Sequence, residues 1–454
     1  SGLDLTTIGL ELHSALQPLL ETKGTQGVGE QSALETTVKV LREATPHLRQ
    51  ALARVERIQQ ARQNIQTSAL SPYTAPWVRR LDEALPILED GLRGAIALPT
   101  LLGGSEQRTY LLLAENEDEL RATGGFITAV AQVVVRNGHV VHIAFENSGQ
   151  VDDFSQPYPD PPLPLREIMD LDLWGFRDAN WSPDFPTAAH VALSLYRPPY
   201  HVGEIHGVMA INMRGAQRLV EVLEPLNVED YPQPITGENL IPAMRESRNQ
   251  ILKDPRSNWE RAHKDFMARV LTAAIAKLQR EPEQVDMLKL AMAILQALEE
   301  RNLFIYPLDS GPAAEAMQQT GWDGALQSVP GDYLMVVDAN LGYNKVNAYI
   351  AESLDYVVDL QEPRRPQATL TLQYEHQGPQ TRERCYHFQK PPTFTYDQRM
   401  AQCHWNYTRV YVPQGSDLLH ATPNPVPGRM LETGKGRTGE AEVTPSEHGK
   451  TVFA

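Results

Sequence analysis

Arginines are the residues in this sequence with the clearest potential for chemistry. Between Arg245 and Arg280, nine Lys or Arg stand against four Asp or Glu, in a chain whose formal net charge is −16. A basic stretch kept in an acidic protein points to an anionic ligand, because a planar guanidinium matches phosphate oxygens two at a time. A solvated helix face is the competing reading of the same residues. Arg121, beside Gly124-Gly125, poses a similar choice. Glycines let backbone N–H groups approach an anion, yet the segment also reads as an ordinary turn between two strands.

Other sources of chemistry are sparse. There is no Gly-x-Ser-x-Gly elbow, His-Glu-x-x-His helix or Cys-x-x-Cys pair, and the thirteen histidines show no ligand spacing. Gly434-Lys435-Gly436-Arg437-Thr438-Gly439 lacks the spacing of a phosphate-binding loop and reads as a flexible loop. Asn406-Tyr407-Thr408 fits a glycosylation sequon, a pattern too short to carry weight. The two cysteines, Cys385 and Cys403, enclose a stretch of 19 residues. Outside the cytoplasm a disulfide between them would contribute about 3 kcal/mol on the chain-entropy argument, and inside it they would be free thiols.

Composition narrows the partners. The charge of −16 argues against nucleic acid, which needs a large basic face. No apolar run approaches the roughly 20 residues that span a bilayer. Both ends read as cut from a longer protein: Ser1-Gly2 precedes a periodic stretch, and Thr451–Ala454 falls within a strand.

Three regions position these residues. Residues 1–103 read as a helical stalk or bundle. Leu34, Val38, Leu41, Leu48, Leu52 and Val55 form one apolar stripe, and Leu81, Leu85, Leu88, Leu92 and Ile96 form another after the breaker at Ser71–Pro76. An earlier stripe runs through Leu10, Ala15, Leu16 and Leu19. Helices packed on one another fit this better than a dimerising coiled coil, because the pattern breaks within about four heptads. Residues 104–328 alternate strands and helices and predict an α/β layered domain, with Asn137-Gly138 as a hairpin turn. Residues 329–454 predict a β-sandwich-like domain, C-terminally truncated, from strands near 333–337, 348–360, 368–374 and 408–412.

Four blocks of the middle region resemble the LytR-CpsA-Psr (LCP) family in order and spacing. They are Thr109–Leu113 leading to Leu120-Arg121-Ala122-Thr123-Gly124-Gly125-Phe126; Phe176–Pro186, with Asn180 before a helix; His206–Ile211 running to Val228; and Thr236-Gly237-Glu238-Asn239 followed by Arg245, Arg248, Arg261 and Lys264. The wording Glu-Leu-Arg-Ala-Thr-Gly-Gly-Phe, Asn-Trp-x-Pro-Asp-Phe-Pro and Asp338-Ala339-Asn340-Leu341-Gly342-x-Asn344-Lys345 further resembles an uncharacterised bacterial family of membrane-anchored proteins, domain of unknown function 4012. That second resemblance covers nearly the whole chain.

The LCP resemblance implies an α/β/α domain with a mixed central sheet, on the outer side of the bacterial cytoplasmic membrane and held there by an anchor. Those proteins transfer a glycopolymer from a polyprenyl-pyrophosphate lipid to a cell-wall polymer. Arginines and a divalent cation, Mg or Mn, hold the pyrophosphate beside an apolar lipid tunnel. Carried over, Arg121, Arg245 and Arg261 are the candidate catalytic residues, and Asn180, Arg248 and Lys264 complete the ligand site. An extracytoplasmic location also favours the Cys385–Cys403 disulfide. The chain departs from the family at both metal carboxylates, where Ala122-Thr123-Gly124 and Asn147-Ser148 stand. Asp152, Asp153, Asp178 and Asp184 are the nearby acids, and Asp152, Asp153 and Asp184 are the candidate metal ligands. Three functions follow: an LCP-like phosphotransferase or pyrophosphatase, a non-catalytic lipid-phosphate binder, and a structural envelope or assembly protein.

Overall fold

The computed structural model describes residues 33–453, apart from 67–69, 199–202, 230, 254–258, 328, 363–364, 380–386, 388–393, 422–442 and 448–449. The stripe at Leu10–Leu19, the Gly434–Gly439 segment and Cys385 lie outside the described residues, as do the side chains of Arg248, Arg261 and Lys264.

Two long helices lead the described chain, α1 (Ala33–Gln63) and α2 (Ala75–Leu101). They pack as a hairpin because their apolar stripes meet. Leu41, Ala44, Leu48, Ala51, Val55 and Ile58 of α1 close on Leu85, Leu92 and Ile96 of α2. The end of α2 then continues into the body of the protein through Ala97 and Leu101.

Five strands form the central sheet: β1 (Arg108–Asn116), β2 (Phe126–Arg136), β3 (His139–Asn147), β4 (Gly207–Ile211) and β5 (Leu303–Pro307). Their order is β3-β2-β1-β4-β5, with β1 and β4 parallel and every other pair antiparallel. The β2–β3 hairpin turns at Asn137 and Gly138, whose φ values of 50° and 80° suit this dipeptide. Side chains alternate across the sheet, so both faces are apolar and both are covered. Leu111, Leu113, Ile127 and Val130 pack under helix 185–195, where Ala188, Ala189, Ala192 and Leu195 allow close approach. Tyr110, Val135 and Leu303 face α2 and the helices at Met287–Glu299 and Pro312–Thr320. The layers are therefore α/β/α around a mixed sheet. Helices 213–223, 237–253 and 259–280 form a further core beside the sheet, with Leu223, Leu240 and Phe266 inside it.

The C-terminal region contributes two separate antiparallel sheets. One has the order β10-β11-β9-β6, from β6 (Met335–Asn340), β9 (Asn406–Pro413), β10 (Val443–Glu447) and β11 (Lys450–Phe453). The other is a ribbon of β7 (Ile350–Asp359) and β8 (Gln367–His376). Cys403 is disulfide-bonded, and Cys385 is the other cysteine in the chain.

Candidate functional site

Strand β1 ends in acid. Glu115, Glu117, Asp118 and Glu119 follow one another closely at its carboxyl edge, where β1 and the parallel β4 both terminate. In open α/β sheets that edge is where ligands bind. Here it is occupied by the protein's own side chains. Burial makes an unpaired charge costly, so each ionised group needs a partner.

Arg121 is 2% exposed. Its Nε and Nη2 donate to Asp178 Oδ1 at 3.1 and 3.0 Å, and its Nη1 donates to the carbonyls of Leu120 and Asn340 at 3.0 and 2.5 Å. Glu119 lies 3.5 Å from the same guanidinium and binds the Lys345 ammonium at 2.7 Å. Arg121, Lys345 and the exposed Arg177 all sit over the ring of Phe126, at 5.1, 5.2 and 5.9 Å from its centre. Arg245 forms its own two-pronged pair with Asp118, at 2.9 and 2.6 Å. Tyr396 donates to the same carboxylate at 2.6 Å.

Glu115 and Asn180 form the deepest part. Asn180 is 0% exposed and donates through Nδ2 to Glu115 Oε1, Thr123 Oγ1 and the Gly125 carbonyl. Thr123 also donates to Glu115 at 2.6 Å. Burial pushes the Glu115 carboxyl up to about 8, against the pull of the Thr123 and Asn180 hydrogen bonds; Glu117 nearby adds to the rise. Glu115 is therefore largely a neutral acid near pH 7. Asn180 Oδ1 is buried and has no hydrogen-bond partner among the described residues. Gly124 suits this position because its φ of +121° is a backbone conformation that side chains rarely adopt, while a Cβ there would find no clash, its nearest neighbour being Glu115 Oε2 at 3.4 Å.

The segment Asp338–Lys345 closes the network from the C-terminal region. Asn340 is fully buried; its backbone N–H donates to the Leu120 carbonyl, and its Nδ2 donates to Asn344 and Asn347. Leu120 N–H returns a bond to Asn347 Oδ1. The three sequence blocks around Arg121, Asn180 and Asn340 thus meet in one buried polar junction between the α/β sheet and the C-terminal strands.

Arg121, Asn180 and Arg245 come together around the 115–125 turn. Both arginines are neutralised there by carboxylates of the chain itself. The candidate metal acids are dispersed. Asp184 caps helix 185–195, with Oδ2 accepting from Thr187 and Oδ1 from Leu326 N–H. Asp153 is held by Ser155, whose hydrogen bonds lower its pKa. Asp152 accepts from Phe176 N–H at 2.9 Å, and burial raises its pKa. Among the described residues no three His, Cys, Asp or Glu stand together to hold a metal. These donors do not assemble a site for Mg or Mn.

Glu115 and Asp118 were not singled out from sequence, and Glu119 and Lys345 stood within the distinctive wording but were given no role. The signal that could have found them is the density of acids directly after an apolar strand, where exposure alone would have been the ordinary reading. The chain matches no curated protein and no solved structure. Residues 105–248, from the start of β1 to helix 237–253, match the family described as protein of unknown function (DUF4012).

Proposed function

We propose that the chain is a non-catalytic, structural or assembly protein of the bacterial cell envelope, acting on the outer side of the membrane that anchors it. The single observation that carries this reading is the pairing of Arg121 with Asp178 and of Arg245 with Asp118. A guanidinium already neutralised inside the fold has little charge left for a pyrophosphate. The sheet face beside Arg121 is also filled, since Leu111, Leu113, Ile127 and Val130 are all 0% exposed. The envelope location rests on the family resemblance of the sequence.

A second reading, binding of a polyprenyl-phosphate-linked glycan without turnover, is favoured by the basic surplus along helices 237–253 and 259–280. One assay addresses both. Incubation with a short-chain prenyl pyrophosphate, with and without magnesium or manganese, is expected to release no phosphate above background. Metal-dependent release abolished by Arg245→Ala would overturn the non-catalytic reading. Saturable binding without release would favour the second reading over the first.

A further inference from the structure

The far end of the α1–α2 hairpin differs in charge from the rest of the chain. Between Glu56 and Asp82 the charged residues are all arginines, Arg57, Arg62, Arg79 and Arg80, in a chain of formal net charge −16. The same end carries large apolar side chains in the open: Tyr73 is 88% exposed, Trp77 70% and Ile65 45%. Local structure puts them there. Helix α1 stops at Gln63, and α2 starts at Ala75 with Pro76 in its first turn and Trp77 directly after it. Arg80 lies over the Trp77 ring, 5.5 Å from its centre. Arg62 pairs with Asp82 at 2.7 Å, which leaves the exposed Arg79 and Arg80 for an outside partner. Among the described residues no carboxylate pairs with either of them. The body holds the hairpin at its other end. Arg42 donates to the Gly104 carbonyl at 2.7 Å, and Ala97 and Leu101 enter the core beside the central sheet. Between Ala97 and Trp77, α2 covers about 30 Å.

We propose that this tip docks on the surface of an anionic lipid bilayer, with Tyr73 and Trp77 at headgroup depth and Arg79 and Arg80 against lipid phosphates. Residue type and charge together select the occupant. Tyr and Trp have an apolar body and a polar edge, so they settle where hydrocarbon meets water. Arginines beside them add attraction to negative headgroups, the combination by which peripheral segments hold a membrane. A protein partner fits the tip less well. A stable protein interface takes about 800 Å² from each side, whereas the end of a two-helix hairpin measures about 20 Å by 10 Å. The acidity of the whole chain does not cancel the attraction. Fields fade over about 8 Å at physiological ionic strength, a fraction of the distance from the tip to the body. The nearest acids along α2 are Asp82, which Arg62 neutralises, and Glu83. The inference rests on residues that the function proposed above does not use, and it stands or falls separately.

Flotation of the whole chain with phosphatidylcholine vesicles, with and without phosphatidylglycerol, tests this. Binding is expected to the anionic vesicles, weakening as salt rises, and little is expected to phosphatidylcholine alone. A basic residue near an anionic membrane is worth about fivefold in binding, so Arg79→Glu with Arg80→Glu is expected to weaken it by about tenfold or more. Tyr73→Ala with Trp77→Ala is expected to lose most of it. Ile87→Ala, at a 57% exposed residue farther along α2, is expected to leave it unchanged. Melting temperature, measured alongside, should match the wild type in all three variants, because each altered side chain is exposed. No binding to the anionic vesicles, or binding indifferent to both tip variants, would overturn the proposal. Self-association lost in those same variants would then assign the tip to a second copy of the chain.

Discussion

Arg121→Ala is expected to destabilise the protein by about 3–5 kcal/mol, the usual consequence of removing one partner from a buried ion pair. Asp178 is 5% exposed and would be left without its cation, while the Asn340 carbonyl would lose a short charged donor. Glu119 would lose its contact with the Arg121 guanidinium and keep its ion pair with Lys345. Asp178→Asn should cost less, because the amide oxygen still accepts from Arg121. A double change to apolar residues of similar volume should recover part of the loss, since it removes both charges at once. Thermal or urea unfolding of the three variants measures this. A ligand-binding role for Arg121 predicts the opposite pattern, with unfolding unchanged and affinity for a phosphate ligand lost. An Arg121→Ala protein that melts with the wild type would therefore refute the structural role assigned here.

Glu115→Gln is expected to stabilise the protein, and to do so increasingly as pH rises. In the unfolded chain this carboxyl ionises near 4.5, and in the fold burial holds it protonated up to about 8. Below pH 4.5 both states are protonated and the group is neutral to folding. Between 4.5 and 8 the unfolded state releases the proton and the folded state keeps it, so stability falls with rising pH. Above 8 the loss levels off. At about 1.4 kcal/mol per pH unit, the full effect is on the order of a few kcal/mol. Glutamine keeps an oxygen for Thr123 and Asn180 to donate to and removes the charge. Unfolding curves of wild type and variant should converge near pH 4.5 and separate most at pH 8. A difference that stays constant across that range would mean that Glu115 is ionised in the fold.

Sequence periodicity alone determined most of the elements. The stripes at Leu41–Val55 and Leu81–Ile96 became the two faces of the helical hairpin, because spacings of three and four residues leave little choice but an amphipathic helix. Asn137-Gly138 sits in the β2–β3 turn for an equally local reason. The strand Gly207–Ile211 and the helix after it were legible in the same way. Short elements without a distinctive pattern, such as Leu303–Pro307, were not, because five residues cannot separate a buried strand from a buried loop.

The arginines divide along the same line. Sequence showed that Arg121 and Arg245 were unusual in their setting and that Asn180 and the Asp338–Lys345 segment carried distinctive wording. Only the tertiary structure decided what those residues face, because a charge partner is chosen in space. Arg121 reaches Asp178, 57 residues away, and Arg245 reaches Asp118, 127 residues away. Spacing along the chain cannot distinguish a guanidinium awaiting phosphate from one already paired. Burial decides between them, because a low-dielectric interior retains a cation only where a carboxylate is brought to meet it.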